Sequence, residues 1–112
     1  MAGKFEVFMD KGGEFRFRLK AANGEIVLSS EGYSRKPAAL NGIESVKANA
    51  GNAAMFESAE TGGGKYRFSL KAKNRQTIGT SGNYASATGR NRGIAAVGRA
   101  AVGAKVVDLT LK

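Results

Sequence analysis

Cysteine and histidine are both absent from this 112-residue chain, tryptophan is absent as well, and proline occurs once. Without cysteine there is no disulfide bond, no thiolate zinc site and no cysteine nucleophile. Without histidine there is no imidazole base and no Ser-His-Asp triad. We therefore expect a protein that is not an enzyme and that holds no metal ion or cofactor.

Long hydrophobic runs are also missing. Residues 94–107 form the most apolar stretch, but Arg99 and Lys105 interrupt it, and a membrane span needs roughly 18 apolar residues. Residues 1–8 lack the roughly 7 to 15 apolar residues of a signal-peptide core. These absences and the length predict one compact, soluble domain in the cytoplasm, with no membrane contact.

Negative charge is scarce. There are 18 lysines and arginines against 9 aspartates and glutamates, which gives a formal net charge of +9. A surplus of this size favours nucleic acid or another polyanion as a partner.

A repeat of 51 residues is the most informative pattern in the chain. Residues 5–50 align with residues 56–101 without a gap, and 16 of the 46 pairs are identical. We therefore divide the single domain, residues 1–112, into repeat one (3–51) and repeat two with a terminal strand (54–112). A feature kept in both copies points to structure, whereas one that differs points to function or to drift.

Strict alternation of apolar and basic residues over 15–21 predicts a half-buried strand. A five-residue turn over 10–14 would pair Val7 with Phe17 and set Glu6 opposite Arg18 on the outer face. Repeat two has the same pattern.

Asn23 and Gly24 form the dipeptide that most often closes a two-residue, type I′ hairpin. Such a turn would pair Ala21 with Ile26, and Leu19 with Leu28. All four of these strand residues would then lie on the core face.

A helix is predicted after the third strand, with Pro37 in its first turn and an apolar stripe of Ile43, Val46 and Ala50. Gly42 and Gly93 would lie inside the two helices, which indicates close packing. Residues 105–111 are rich in valine and leucine and predict a final strand. The expected fold is α+β: two tandem strand-strand-strand-helix repeats with a C-terminal strand, and an antiparallel sheet covered on one face by two helices with pseudo-twofold symmetry.

Four runs in repeat one resemble the YegP-like family: GKFEVF (3–8), FRFRLKAANGE (15–25), SSEGY (29–33) and NGIESVK (41–47). Repeat two resembles the family more loosely, since Asn74-Arg75 replaces Asn-Gly. This family comprises small bacterial and archaeal proteins of uncharacterised function with one repeat or two. The resemblance implies three strands and a helix per repeat, an exchanged extra strand, and a tandem chain that is complete as a monomer. It implies no catalytic or binding residues.

Basic side chains on the outer face of the sheet are the main candidate site for a polyanion. The other interpretation is a solvated face that prevents aggregation. The six residues of this set are Arg16, Arg18, Lys20, Arg67, Lys71 and Lys73.

Arginines of the second helix form another candidate contact, because repeat one has uncharged residues at the matching positions. Neutral drift would explain them equally well. These residues are Arg90, Arg92 and Arg99.

Aromatic residues are predicted to face the core, with only Phe8 outward, which argues against base stacking on single strands. The glycine-rich residues 61–65 fail the phosphate-loop pattern and predict a hairpin loop. Tyr33 and Tyr84 are retained in both repeats and predict a structural corner in which each hydroxyl bonds the backbone.

These observations favour a non-enzymatic binding module with weak, salt-dependent affinity for nucleic acid or another polyanion. The alternative is a protein-interaction module that uses a sheet edge or a helix face. An enzyme would need Glu6, Glu57, Tyr33 or Tyr84 together in one pocket and is ranked last. Residues 1–51 carry 8 basic and 6 acidic groups, whereas residues 52–112 carry 10 and 3, so a polyanion is expected at repeat two.

Overall fold

A computed structural model describes residues 3–110 and contains two successive series of three strands and one helix, followed by a last strand. The strands form one sheet in the order β4-β5-β6-β3-β2-β1-β7. The predicted α+β architecture and the order of its elements are confirmed. The elements are β1 (Lys4–Met9), β2 (Phe15–Lys20), β3 (Ile26–Ser30), α1 (Lys36–Asn49), β4 (Phe56–Glu60), β5 (Tyr66–Lys71), β6 (Thr77–Thr80), α2 (Ala87–Ala101) and β7 (Lys105–Asp108), with a short 3-10 turn at Ala53–Met55 before β4.

The register between β1 and β2 is the one predicted from the alternation. Val7 lies opposite Phe17, and Glu6 lies opposite Arg18. Both apolar residues of the first pair are fully buried. β4 and β5 have the same register, with Ser58 opposite Phe68. The register that the five-residue turn predicts is confirmed, whereas a four-residue turn would have set Val7 against Arg16 and mixed the two faces.

The prediction of a type I′ turn at Asn23-Gly24 was wrong. Only Gly24 has a positive φ, +86°, and it donates its N–H to the carbonyl of Ala21. This is a three-residue hairpin loop with a glycine bulge. The bulge pairs Ile26 with Lys20 instead of Ala21, so Ile26 is 52% exposed. The other predicted pair, Leu19 with Leu28, is confirmed.

All four hairpins of the two repeats close in this way. The position of positive φ is occupied by Gly13, Gly24, Gly64 and, in the last hairpin, Arg75 (φ +69°). Only glycine adopts this conformation without steric cost. Arg75 is therefore a departure that the turn itself does not favour.

An antiparallel sheet was predicted, but the sheet contains one parallel pair of strands. β7 runs parallel to β1, with Lys105 beside Lys4. A salt bridge of 2.8 Å joins Asp108 on β7 to Lys36 at the start of α1. Hydrogen bonds from Lys36 and Thr110 lower the pKa of Asp108 to about 2. The terminal strand is thus fastened to repeat one.

Both helices contribute to one hydrophobic core with the strands. A methyl group on Gly42 of α1 would lie 2.6 Å from the hydroxyl oxygen of Tyr33 and 2.8 Å from a ring carbon of Phe17. Gly93 of α2 has the same relation to Tyr84. The glycines retained in both repeats therefore let each helix approach a tyrosine on the sheet.

The tyrosines are a structural corner, although not of the predicted kind. Tyr33 exchanges backbone hydrogen bonds of 2.7 and 2.8 Å with Phe15, and its ring stacks on Phe17 with a centroid distance of 6.4 Å. The hydroxyl of Tyr33 makes no hydrogen bond with any residue between 3 and 110. Nearby, Ser30 accepts the N–H of Phe17 at 2.9 Å, so the retained serine completes the same corner.

The repeats meet where β3 pairs with β6. Gly79 occupies the position equivalent to Leu28, and a methyl group built on it would lie 2.9 Å from the Leu28 side chain and 2.9 Å from the carbonyl of Ser29. Leu28 is only 1% exposed. One leucine therefore fills a space in the centre that cannot accommodate two.

Candidate functional site

Carboxylates form ion pairs with the cations on the outer face of repeat one. Glu6 on β1 lies 2.7 Å from Arg18, 3.2 Å from Lys20 and 3.4 Å from Lys4. The hydrogen bond from Arg18, together with Lys20, lowers the pKa of Glu6 to about 2. One carboxylate therefore pairs with three cations and offsets one of their three positive charges.

Asp10 gives the first hairpin a second ion pair. Its Oδ2 accepts a 2.6 Å hydrogen bond from Arg16, and its Oδ1 accepts the N–H groups of Gly12 and Glu14. The bond from Arg16 holds the pKa of Asp10 below its ordinary value. All three strand residues predicted as polyanion contacts in this repeat, Arg16, Arg18 and Lys20, are therefore already in ion pairs.

Repeat two lacks these partners. Thr61 replaces the aspartate that holds Arg16, and Arg67 makes no ion pair within residues 3–110. Ser69 replaces Arg18, so Glu57 faces a serine across the strand pair. Six ion pairs occur within residues 3–110, and every cation in them comes from residues 4–47. Among the described residues, Arg67 and Lys71 of repeat two are thus free for an outside anion.

Three cations of repeat two surround one surface cavity at the β4 edge of the sheet. We call Lys71, Lys73 and Arg75 the basic cluster. The cavity has a volume of about 380 Å³ and is also lined by Phe56 and Glu57. Lys73 is in the hairpin turn after β5, not on a strand. Arg67 lies four residues before Lys71 on the same face of β5, which corresponds to roughly 13 Å along the strand.

The helix arginines lie on α2 and not on the strands of the sheet. Arg90 lies over the ring of Tyr66, 5.6 Å from its centroid, and bonds the side chain of Asn91. Arg92 and Arg99 are exposed. The nine predicted contacts therefore do not form one surface but are divided between the outer sheet face and α2.

The predicted positions of the aromatic residues agree with the structure. Phe5, Phe17 and Phe68 are fully buried. Phe8 lies outward, where the guanidinium of Arg18 is 4.7 Å from its ring centroid. A flat row of exposed rings for stacking bases is not found among residues 3–110.

The carboxylates considered for catalysis are far apart. Glu6 is on β1 and Glu57 on β4, and the sheet order puts five strand spacings between them. At about 4.8 Å each, this corresponds to roughly 24 Å. The two groups therefore cannot share one pocket within the chain.

Sequence reasoning missed Arg75 and the cavity. The signal was available, because the aligned repeats place Arg75 at the position of Gly24 and Lys73 at that of Ala22. Two substitutions to cations at one turn form a local change that a charge count over the whole repeat conceals.

Comparison with known proteins identifies the family. A family model described as a domain of unknown function, DUF1508, matches residues 10–57 and again residues 63–108. The chain belongs to the DUF1508 family. The two matches fit a tandem repeat, and the YegP-like resemblance is confirmed.

Relatives of the DUF1508 protein have no assigned function in their names. A UPF0339 protein in the ptx operon 5′ region of Stutzerimonas stutzeri is 52% identical over 97% of this chain and 98% of its own length. The solution structure of yegP from Escherichia coli, a protein of unknown function, is 43% identical with a TM-score of 0.92, covering 97% of this chain and 94% of that one. A UPF0339 protein structure from Shewanella oneidensis has 40% identity and a TM-score of 0.91, covering 97% and 92%.

Neither helix of this DUF1508 protein is long and apolar enough to cross a membrane, as far as residues 3–110 are concerned.

Proposed function

We propose that this protein is a non-enzymatic, monomeric binding module of the cytoplasm that holds nucleic acid or a comparable polyanion on the outer sheet face of repeat two. One observation carries the proposal. Arg67 and Lys71 make no ion pair within residues 3–110, whereas their counterparts Arg16 and Lys20 do. An unpaired cation can displace counterions from a phosphate without first giving up a carboxylate.

Contacts of this kind are to phosphate groups and not to bases. Arg67 and Lys71 supply two cations on β5, and Lys73 and Arg75 supply two more in the hairpin turn that follows it. No row of exposed aromatic rings accompanies them in the described part of the chain. We therefore expect binding that depends steeply on salt and little on sequence.

The proposal includes an arrangement of the two repeats about a pseudo-twofold axis, with both helices on one face of the sheet. The equal registers of β1–β2 and β4–β5 and the common core support it. In that arrangement the opposite face stays open to a large anion.

Fluorescence anisotropy with duplex and single-stranded oligonucleotides, in a salt series starting at about 50 mM, tests the proposal. Replacing Arg67, Lys71 and Lys73 with serine should reduce the slope of log K against log salt by about 3 for duplex DNA, since each phosphate contact contributes roughly 0.9. The matched control replaces Arg90, Arg92 and Arg99 with serine, which removes the same charge from α2. No binding at about 50 mM salt, or equal losses in both variants, would overturn the proposal, and the open face would then serve only solubility.

A second function, protein binding through a sheet edge, is supported by a different observation. β4 ends the sheet without a covering strand in the described structure, whereas β1 is covered by β7.

A further inference from the structure

β1 and β4 occupy equivalent positions in the two repeats but differ in what lies on their outer side. β7 runs parallel to Lys4–Val7, and Leu109 donates its N–H to the carbonyl of Val7 at 2.8 Å. β4 is the counterpart of β1, and the strand order leaves its outer side unpaired within residues 3–110. Backbone groups on that side are free to pair with an added strand.

The missing neighbour changes the exposure of β4. Phe5 is fully buried and Glu6 is 6% exposed beside β7, whereas Phe56 is half-buried and Glu57 is exposed. Phe56 is reached from the cavity beside the basic cluster and from a second cavity of about 520 Å³ toward α2. The edge therefore offers apolar surface as well as backbone groups.

The cavity of the basic cluster corresponds to the place where β7 begins in repeat one. There, Lys105 lies beside Lys4 and near Gly24, around a similar surface cavity. In repeat two the equivalent positions are occupied by Met55 and Arg75. A parallel strand added to β4 would place its first residues against the basic cluster and its second paired residue beside Phe56.

We propose that the free edge of β4 binds an extended segment of another protein as an added parallel strand. The segment is acidic where it passes the basic cluster and carries a β-branched apolar residue beside Phe56, as Val106 lies beside Phe5. This inference rests on the second function proposed above, a sheet edge that binds protein, and not on polyanion binding. It adds the orientation, the register and the charge of the partner segment.

Charge argues for a different protein over a second copy of this chain. β7 of a second copy would bring Lys105 against the basic cluster, which is unfavourable. Two β4 edges meeting each other would also bring together two halves that each carry 10 basic and 3 acidic groups. An acidic segment avoids both conflicts.

Two short peptides test the preference for an acidic partner. One has the sequence of residues 104–110, and the other is identical except for Lys105→Glu. Titrated into the 15N-labelled full chain, the glutamate peptide should bind about fivefold more tightly than the lysine peptide. The largest amide shifts should fall on residues 55–60.

A proline variant tests the backbone contact. Ser58 lies opposite Phe68 as Val7 lies opposite Phe17, so its N–H and carbonyl face outward as those of Val7 do. Ser58→Pro removes that outward N–H without breaking the β4–β5 ladder, and it should abolish peptide binding. Ser58→Ala is the control and should bind normally, and far-UV circular dichroism of both variants checks the fold.

The inference is wrong if neither peptide binds at about 1 mM, if Ser58→Pro binds as the wild type does, or if light scattering shows that a second copy already occupies the edge. Ser58→Pro should leave oligonucleotide binding unchanged. A failure of strand addition is therefore distinguishable from a failure of polyanion binding.

Discussion

Glu6 and Asp10 hold the strand cations of repeat one in ion pairs, whereas repeat two has an exposed Glu57 and a threonine at position 61. The two halves nevertheless share strand registers, hairpin loops and the tyrosine under each helix. The fold therefore requires neither the carboxylates nor the free cations. The unpaired charge of repeat two is a separate property, which is why we assign binding to it.

Other differences between the repeats follow from packing. Leu28 and Gly79 share one space at the centre, and β7 can cover only one edge of the sheet. The first difference is required by the joining of two similar halves and carries no argument about a ligand, whereas the uncovered edge of β4 is the basis of the strand-addition proposal. The predictions below separate the two kinds of difference.

The largest effect on stability is expected from placing leucine at both central positions of the sheet, 28 and 79. Gly79→Leu should lower the free energy of unfolding by about 3 kcal/mol, because a second leucine overpacks the space filled by Leu28. Urea unfolding followed by circular dichroism measures this. Gly82→Ala is the control, since a methyl group there meets no atom within 4 Å, and it should change the free energy by less than about 0.5 kcal/mol.

A smaller effect on stability is expected from removing the charge of the glutamate that both repeats retain, which is in ion pairs as Glu6 and exposed as Glu57. Glu6→Gln should cost about 2 kcal/mol of unfolding free energy, because it weakens the charge-assisted hydrogen bond from Arg18 and leaves Lys20 without its acid. Glu57→Gln should cost almost nothing, since Glu57 makes no ion pair within residues 3–110. If urea unfolding shows the same loss of free energy in both variants, the ion pairs of Glu6 do not stabilise the fold.

The same pair of variants should differ in acid. The pKa of Glu6 is lowered from 4.5 to about 2 in the folded protein, so its contribution is complete above about pH 4.5 and is lost as the pH falls toward 2. The gap in unfolding free energy between the wild type and Glu6→Gln should therefore narrow over that range. A gap that stays constant would contradict the ion pair, and Glu57→Gln should show no such change.

The smallest effect concerns the last hairpin. Arg75→Gly should raise the free energy of unfolding by about 1 kcal/mol, because glycine adopts a positive φ without the cost that arginine bears. Gly24→Arg should lower it by a similar amount. Thermal melts of both variants measure the pair, and a destabilised Arg75→Gly would mean that the arginine side chain stabilises the fold.

Sequence reasoning predicted the registers of β1 and β2 because alternation leaves one way to bury Phe17 and expose Arg18. It failed at Asn23-Gly24, since several loops contain this dipeptide and only some need two positive φ values. The type I′ turn and the observed loop both place Gly24, and Arg75 in the second repeat, at a positive φ. Comparing the repeats at that position therefore does not distinguish the two loops.

The parallel pairing of β7 with β1 and the cavity at β4 depend on residues far apart in sequence. Nothing local to residues 105–108 says which strand they join. The salt bridge between Lys36 and Asp108 spans 72 residues and was likewise invisible. The Glu6–Arg18 pair was found because it follows from a local register.

Giving repeat two a carboxylate that repeat one already has tests the central claim most directly. Thr61→Asp gives Arg67 the partner that Arg16 has, and Asn41→Asp on the exposed side of α1 makes the same change in net charge elsewhere. Oligonucleotide anisotropy over a salt series should show a slope about 1 unit smaller for Thr61→Asp and an almost unchanged slope for Asn41→Asp. Equal effects of the two substitutions would mean that net charge alone attracts the polyanion, and the assignment to the free cations of repeat two would be wrong.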